Sequence, residues 1–416
     1  VDISRGFSVR GLAGPLNLAF GAEVRRESYG ITAGEPDSYR DGGEANQFGG
    51  PGAIGAQVFP GFRPSNEVEA SRYNSAGYID LEGNLLRWLR FGAAGRGEKY
   101  SDFGSTVDGK LTVRVQPVRQ LAIRGSASTG FRAPSLSQSY FSSTATNFLN
   151  LGAGLVPVES LTLPVSSAAA MVLGATALKP ERSLNLAGGI VVTPATALEI
   201  EADYYHIAID DRIVLSGNFT AAPIAELLAP FGANSARFFT NAIDTRTDGV
   251  DVSSSYRVAA RGSDVLPRAA YNHSITDMVG AVATPPQLAA FSSVLFDRIE
   301  RRRIECGQPH DSLRLGGSWG SKHFAVDVNE SRYGEFFSLT LSPSDDQVYR
   351  AEWLTDLELS IHAHHYRFAV GAQNIFDAFP DRNSAVNSFN GIQTFPSQSP
   401  FGMNGRTLYA RIRWEL

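Results

Sequence analysis

Residues Thr407 to Leu416 read TLYARIRWEL, and their side chains sort by parity without exception. Leu408, Ala410, Ile412, Trp414 and Leu416 share one side, and Thr407, Tyr409, Arg411, Arg413 and Glu415 share the other. A period of two is what a strand produces, because successive side chains project to opposite faces. One face is oily and the other charged, as a strand requires when hydrocarbon lies on one side and water on the other. A tilted strand of roughly 9 to 11 residues crosses a bilayer, and the same alternation recurs along this chain in segments of that length. Repetition of so weak a signal is the signature of an outer-membrane β-barrel.

Between Val107 and Gln116, Val107, Gly109, Leu111, Val113 and Val115 oppose Asp108, Lys110, Thr112, Arg114 and Gln116. Leu198, Ile200, Ala202 and Tyr204 oppose Glu199, Glu201 and Asp203. A strand read over Tyr349 to Ile361 sets Trp353, Leu357, Leu359 and Ile361 against Arg350, Glu352, Asp356, Glu358 and His362. Turning the basic members of such faces to lipid at mid-depth costs roughly 2 to 4 kcal/mol each. Glu199, Glu201, Asp203, Arg350, Glu352, Asp356, Glu358, Arg411 and Arg413 are therefore expected to line a wet or occupied lumen.

The connections predict strict alternation between brief turns, at Glu82–Asn84 and near SWGS (Ser318–Ser321) and HAHH (His362–His365), and extended loops. Long loops are read over Gly30–Val68, Arg132–Leu178, Leu215–Thr245, from the next strand pair to His310, Tyr333–Gln347 and Asp377–Gly405. PIAELLAP in the third loop and QLAAFSSVLFDRIERRRI in the fourth read as short helices. Counting back from the last strand gives about fifteen strands, an odd number where bacterial single-chain barrels are even.

Composition narrows the alternatives. In 416 residues, glycines and aromatics are spread evenly and no linker divides the chain, so residues 1–416 read as one partial barrel rather than two or three domains. No stretch approaches the roughly 20 apolar residues of a membrane helix; Ala168–Leu178 is too short and holds Gly174 and Thr176. A net charge of -5 without a basic stripe argues against a nucleic-acid partner. The start, VDISRGFSVR, has no secretory signal, so the sequence is expected to be a processed form or a fragment of an exported protein.

Sites of chemistry are sparse. The single cysteine, Cys306, excludes an internal disulfide and reads as an isolated loop thiol. His362, His364 and His365 crowd a predicted turn without a carboxylate fixed near them in sequence. Asp244, Asp248 and Asp251 lack EF-hand spacing. No nucleophile elbow is present, and the glycines of RDGGEANQFGGPGAIG do not sit between a strand and a helix. The expectation is no metal, no cofactor and no catalytic residue.

Four stretches carry a resemblance. GSASTGFRAPSLSQSYF (Gly125–Phe141), LKPERSLNLAGGIVVTP (Leu178–Pro194) with DYYHIAIDDRI (Asp203–Ile213), FFTNAIDTRTDGVDV (Phe238–Val252), and GAQNIFDAFPD (Gly371–Asp381) with PFGMNGRTLYARI (Pro400–Ile412) occur in order. Together they resemble the TonB-dependent outer-membrane receptor family. The terminal Leu416 departs from the usual aromatic, and no second cysteine accompanies Cys306. The resemblance implies an all-β, antiparallel transmembrane barrel of about 22 strands filled by an N-terminal plug. This sequence contains neither the plug nor its TonB-engaging segment, and about seven strands would precede its first. It also implies a Gram-negative outer-membrane location, lipid contact, and TonB engagement through a plug that is not on this chain. The alternative source of the missing strands is a partner chain. The implied function is uptake of a scarce nutrient: a ferric siderophore, a cobalamin or an oligosaccharide. The lumen charges then read either as a surface for the plug or as plain interior polarity. Ligand capture would fall to loop residues such as Phe141, Phe148, Phe239, Tyr333, Phe336, Phe337, Phe389 and Phe401. Two rival readings are a structural or assembly subunit built on a split barrel and a passive channel.

Overall fold

A computed structural model describes the chain except residues 46–53, 57–59, 151–154, 232–233, 261, 341, 389–390 and 415–416, and except the side chains of 145–150, 155–159, 231 and 260. Glu415, Leu416 and Phe389 thus lie outside the described residues, as does the side chain of Phe148. The first six strands are β1 (Asp2–Phe7), β2 (Leu16–Ile31), β3 (Val68–Leu86), β4 (Leu89–Tyr100), β5 (Gly104–Val118) and β6 (Leu121–Arg132). Next come helix α1 (Leu136–Tyr140), β7 (Ser143–Asn150), β8 (Leu155–Leu163), α2 (Ala168–Val172), β9 (Glu181–Ala195), β10 (Leu198–Leu215) and α3 (Ala222–Leu228). Then follow β11 (Ser235–Tyr256), β12 (Val258–Ala260), β13 (Ser263–Val279), α4 (Ser292–Leu295), α5 (Arg298–Cys306), β14 (Asp311–Ser321) and β15 (Phe324–Tyr333). The chain closes with β16 (Phe336–Ser338), β17 (Gln347–Tyr349), β18 (Glu352–Ala363), β19 (Tyr366–Gln373) and β20 (Thr407–Trp414).

Fifteen of these strands form one antiparallel wall, ordered β1–β6, β9, β10, β11, β13, β14, β15, β18, β19, β20. The strand number expected from the alternation is therefore the number found. Short β12 pairs with β13 beyond the end of β11. β7 and β8 form a hairpin above the wall, and β8 runs parallel to the first residues of β11. Among the described residues β1 pairs with β2 alone and β20 with β19 alone. Among the described residues no helix is long and apolar enough to cross a membrane.

The register carries parity across the whole wall. Leu111, Ile412 and Leu408, at 64%, 69% and 73% exposure, stand on one face. On the other stand the charged groups, strand after strand, because residues paired across antiparallel strands share a face. Exposed aliphatic and aromatic side chains on one face, and ion pairs on the other, are what a membrane wall needs.

Several boundaries differ from the sequence reading. Glu82–Asn84 is not a turn: β3 runs on to Leu86, and the hairpin closes at Arg87–Trp88. Gly83 is there for space, since a Cβ would meet Leu16 Cδ1 at 3.0 Å and the Phe91 ring at 3.2 Å. The SWGS turn falls later, at Lys322–His323. β11 begins at Ser235, ten residues before the expected loop end at Thr245, so the third loop is shorter. The strand expected from Tyr349 starts at Glu352; Tyr349 belongs to the β16–β17 hairpin, buried and stacked on Phe336 at 4.8 Å. Alternation of brief and long connections also fails once, because β4 and β5 extend until Tyr100 pairs with Gly104. The His364–His365 turn is as short as expected, with His364 at φ 54°, the left-handed conformation that two-residue hairpins use.

Candidate functional site

The long connections gather at one end of the wall, and three of them share a core. Ala170 and Leu173 from the β8–β9 connection, Ile224 and Leu228 from β10–β11, and Leu288 and Leu295 from β13–β14 are all fully or nearly fully buried together. Phe238 at the head of β11 and Phe219 stack at 6.1 Å within this cap. Ser160 of β8 and Ser235 of β11 share a buried hydroxyl contact of 2.8 Å. The loops are thus a packed cap, because short apolar helices that cannot bury themselves singly do so against one another.

The quoted sequence stretches fasten this cap to the wall. Arg132 forms a bidentate pair with buried Glu181, its cross-strand neighbour, and Glu181 Oε1 also accepts the Ile213 amide at 2.7 Å. Asn241 donates to the carbonyls of Lys179 (3.0 Å) and Asp211 (2.6 Å). Asp244 accepts the amide of Asp211, which sits at φ 55°. Asn374 and Asp377, both left-handed, build the turn after β19: Asn374 exchanges two bonds with Ala378, and Asp377 accepts the Arg406 amide at 2.8 Å. Buried Arg72 pairs with Glu27 and with Asp102 at 3.5 Å, and lies 5.2 Å over the Tyr100 ring.

Below the cap, the polar face brings together most of the charges picked out by alternation. Glu199, Glu201 and Asp203 on β10 pair in register with Ser255, Ser253 and Asp251 on β11. Glu352, Asp356 and Glu358 pair with Tyr333, Asn329 and Asp327. Arg411 and Arg413 pair with Ala369 and Arg367. Glu358 accepts from Tyr409 at 2.9 Å and Arg411 at 2.7 Å, with Arg367 at 3.6 Å. Arg124 reaches Asp203 at 2.8 Å and Glu201 at 3.3 Å. That pair passes over Gly189, where a Cβ would stand 2.0 Å from Asp203 Oδ1. Pairs this exposed contribute roughly 0 to 1 kcal/mol each, so their effect is to fix side-chain positions. A groove of about 600 Å³ opens over β10–β18, lined by Glu199, Glu201, Arg268, Arg314, Asn329 and Tyr333 among others.

Arg350 stands apart from these charges. It precedes β18, is largely exposed, and pairs with Asp381 at 2.6 Å, which holds the Asp381 carboxyl below the usual aspartate range. The loop aromatics pack among themselves. Phe141 lies edge-on to Phe62 at 6.1 Å, Tyr333 stacks on Phe401 at 5.6 Å, Phe336 is buried against Tyr349 beside Phe337, and Phe239 leans on the cap core. Cys306 is buried at the end of α5, and burial pushes its thiol up. Asp248 bonds Tyr204 and His206 on the apolar face, whereas Asp251 accepts from Asn272 on the polar one, so the aspartates do not converge. Among the described residues no three His, Cys, Asp or Glu side chains stand close enough to hold a metal.

Comparison with known proteins agrees with this geometry. The family model for the TonB-dependent receptor-like β-barrel matches residues 4–375. The siderophore receptor PirA of Acinetobacter baumannii superposes with a TM-score of 0.63 at 14% identity, over 99% of this chain and 53% of that one. A mutant of the ferric enterobactin receptor PfeA of Pseudomonas aeruginosa, solved with enterobactin, gives 0.63 at 11% identity, over 99% and 53%. The ferripyoverdine receptor of Pseudomonas aeruginosa, bound to ferripyoverdine, gives 0.61 at 14%, over 99% and 47%. At these identities the likeness is one of fold, and the chain spans about half the length of the solved receptors. No curated protein sequence matches it.

Proposed function

From the premise that this chain belongs to the TonB-dependent receptor β-barrel family, we propose that it forms the receptor wall of an outer-membrane importer for a scarce nutrient. Members of the family are Gram-negative outer-membrane receptors and transporters. The observation that carries the reading is the continuity of the two faces: exposed apolar side chains on one side of fifteen strands, ionic ranks on the other. The apolar face meets lipid, and Glu199, Glu201, Asp203, Glu352, Asp356, Glu358, Arg411 and Arg413 line the lumen. Ferric siderophores come first among substrate classes because the solved relatives are named as siderophore, ferric enterobactin and ferripyoverdine receptors; cobalamins and oligosaccharides are the alternatives. Of the loop aromatics, Tyr333 borders the lumen groove and is the strongest candidate for ligand contact. TonB acts through a plug domain outside this sequence.

The outer edges of β1 and β20, which among the described residues have no partner strand, favour one addition. An odd number of strictly antiparallel strands cannot close on itself without a parallel contact, so further strands, of this protein or a partner, complete the barrel. Growth of an iron-limited strain lacking the protein, with and without complementation, tests the transport reading across a panel of ferric siderophores. Restored growth on one chelate, abolished by collapse of the inner-membrane energy source, is expected. Complementation without effect on any ferric chelate, cobalamin or oligosaccharide would overturn it.

A further inference from the structure

Across β4, β5 and β6 the register places three guanidinium groups in one rank, Arg90 opposite Arg114 and Arg114 opposite Arg124. Continued through β9, the rank passes Gly189 and reaches Asp203 and Asp251. Directly opposed like charges destabilise a sheet, with Cβ atoms only about 4.5 to 5.5 Å apart. The acidic half of the rank is relieved within the wall, since Asp203 takes Arg124 and Asp251 accepts from Asn272 at 2.7 Å. The basic half is relieved at its ends, where Arg90 pairs with Glu82 at 2.6 Å and Arg124 with its two acids.

Its centre is left positive. Arg114 donates to Gln116 at 2.8 Å, and among the described residues no carboxylate pairs with it. Lys110, four residues before Arg114 on the same face of β5 with Thr112 between them, likewise has no ion pair among the described residues. Over this spot a groove of about 400 Å³ opens, lined by Arg90, Lys110, Thr112, Arg114, Arg124 and Ser126, with the carboxylates Glu82 and Asp203 at its edges. Glu82 and Asp203 are taken up by Arg90 and Arg124, so the groove keeps two cations without a paired acid, Lys110 and Arg114, beside two hydroxyl donors. This set is complementary to a compact, multiply charged oxyanion, to which guanidinium groups bond in charge-assisted pairs.

We propose that this groove is an anion site of the wall, taking a phosphate-class oxyanion between Lys110 and Arg114, with Arg90 and Arg124 at its flanks. Arg90 and Arg124 lie close to the first residues of their strands, Leu89 and Leu121, so the site sits near the short-turn mouth. It stands independently of the transport reading, being a property of these strands alone.

The test uses the full-length protein in detergent micelles, with inorganic phosphate as probe and sodium chloride at matched ionic strength as control. Calorimetry should show saturable phosphate binding, weakened at least tenfold by Arg114→Gln and by Lys110→Gln, and within twofold of the parent in Arg413→Gln. Without phosphate, Arg114→Gln should melt no lower than the parent, because removing it ends a like-charge contact. Absence of binding, a response that chloride reproduces, an affinity in both groove variants equal to the parent's, or a lower melting temperature of Arg114→Gln without phosphate would each overturn the assignment. Lys110→Gln keeps the affinity test available should Arg114→Gln fail to fold.

Discussion

Two adjacent residues of β11 offer a stringent test of the two-faced wall. Val252 lies on the apolar face, opposite Ala202 and Tyr271, and Ser253 lies on the polar face, opposite Glu201. Along β10 the outward side chains are apolar from Leu198 to Tyr204, and ionisable groups begin with His206 and its partner Asp248. A strand rising about 3.4 Å per residue at a tilt near 45° needs about ten residues to climb an apolar band ≈ 25 Å tall. Val252 therefore sits near its middle. Val252→Arg should cost about 2 to 4 kcal/mol, which at about 1.4 kcal/mol per tenfold is roughly a 30- to 700-fold loss in the folded-to-unfolded ratio. Ser253→Arg gains Glu201 as a neighbour and should stay within about 0.5 kcal/mol of the parent. Reversible urea unfolding in phospholipid vesicles, followed by tryptophan fluorescence, measures both. Equal costs, or the larger cost at Ser253, would refute the assignment of faces.

Three further outcomes are expected. Glu181→Ala removes the Arg132 pair and the bond to the Ile213 amide, and should cost roughly 2 to 3 kcal/mol in the same unfolding assay. Phe238→Ala opens the buried cap core and should destabilise the cap by about 3 to 5 kcal/mol, seen as faster proteolysis within residues 216–234 while the wall stays resistant. The hydrogen bond from Arg298 holds the Asp346 carboxyl below its ordinary 3.8. A depressed carboxylate contributes stability above its unfolded value and loses it as pH falls through the folded one. Amide protection factors in the β16–β17 hairpin, with the intrinsic pH dependence of exchange divided out, should thus be flat from pH 7 to 5 and fall only below about pH 4.

Much of the wall was legible because its signal is local. Parity within TLYARIRWEL or Val107–Gln116 needs no knowledge of the neighbouring strand, and the structure places the described residues of both, Thr407–Trp414 in the first, on the faces their alternation indicates. Boundaries were less legible where glycine has two meanings: Gly83 reads as a turn yet serves to admit Phe91. The cap was not legible, because Leu173, Leu228 and Leu295 come from three connections, none of which shows alone that it buries the others. Arg350 was misplaced with the wall because its parity continues that of β18 beyond the strand's first residue. The arginine rank was hidden for a related reason. Arg90, Arg114 and Arg124 meet only if the β4–β5 turn lies at Ser101–Phe103 and the β5–β6 turn at Arg119–Gln120, and cross-strand register follows from turn position.

The claim on which all else rests is that the odd and even positions of β20 face different solvents. Single cysteines placed in turn at residues 407 to 414, in a Cys306→Ser background in outer-membrane vesicles, report it directly. A charged, water-soluble maleimide should label positions 407, 409, 411 and 413, while a lipid-borne quencher should dim a probe at 408, 410, 412 and 414. Uniform labelling along the strand, or the opposite parity, would contradict the account.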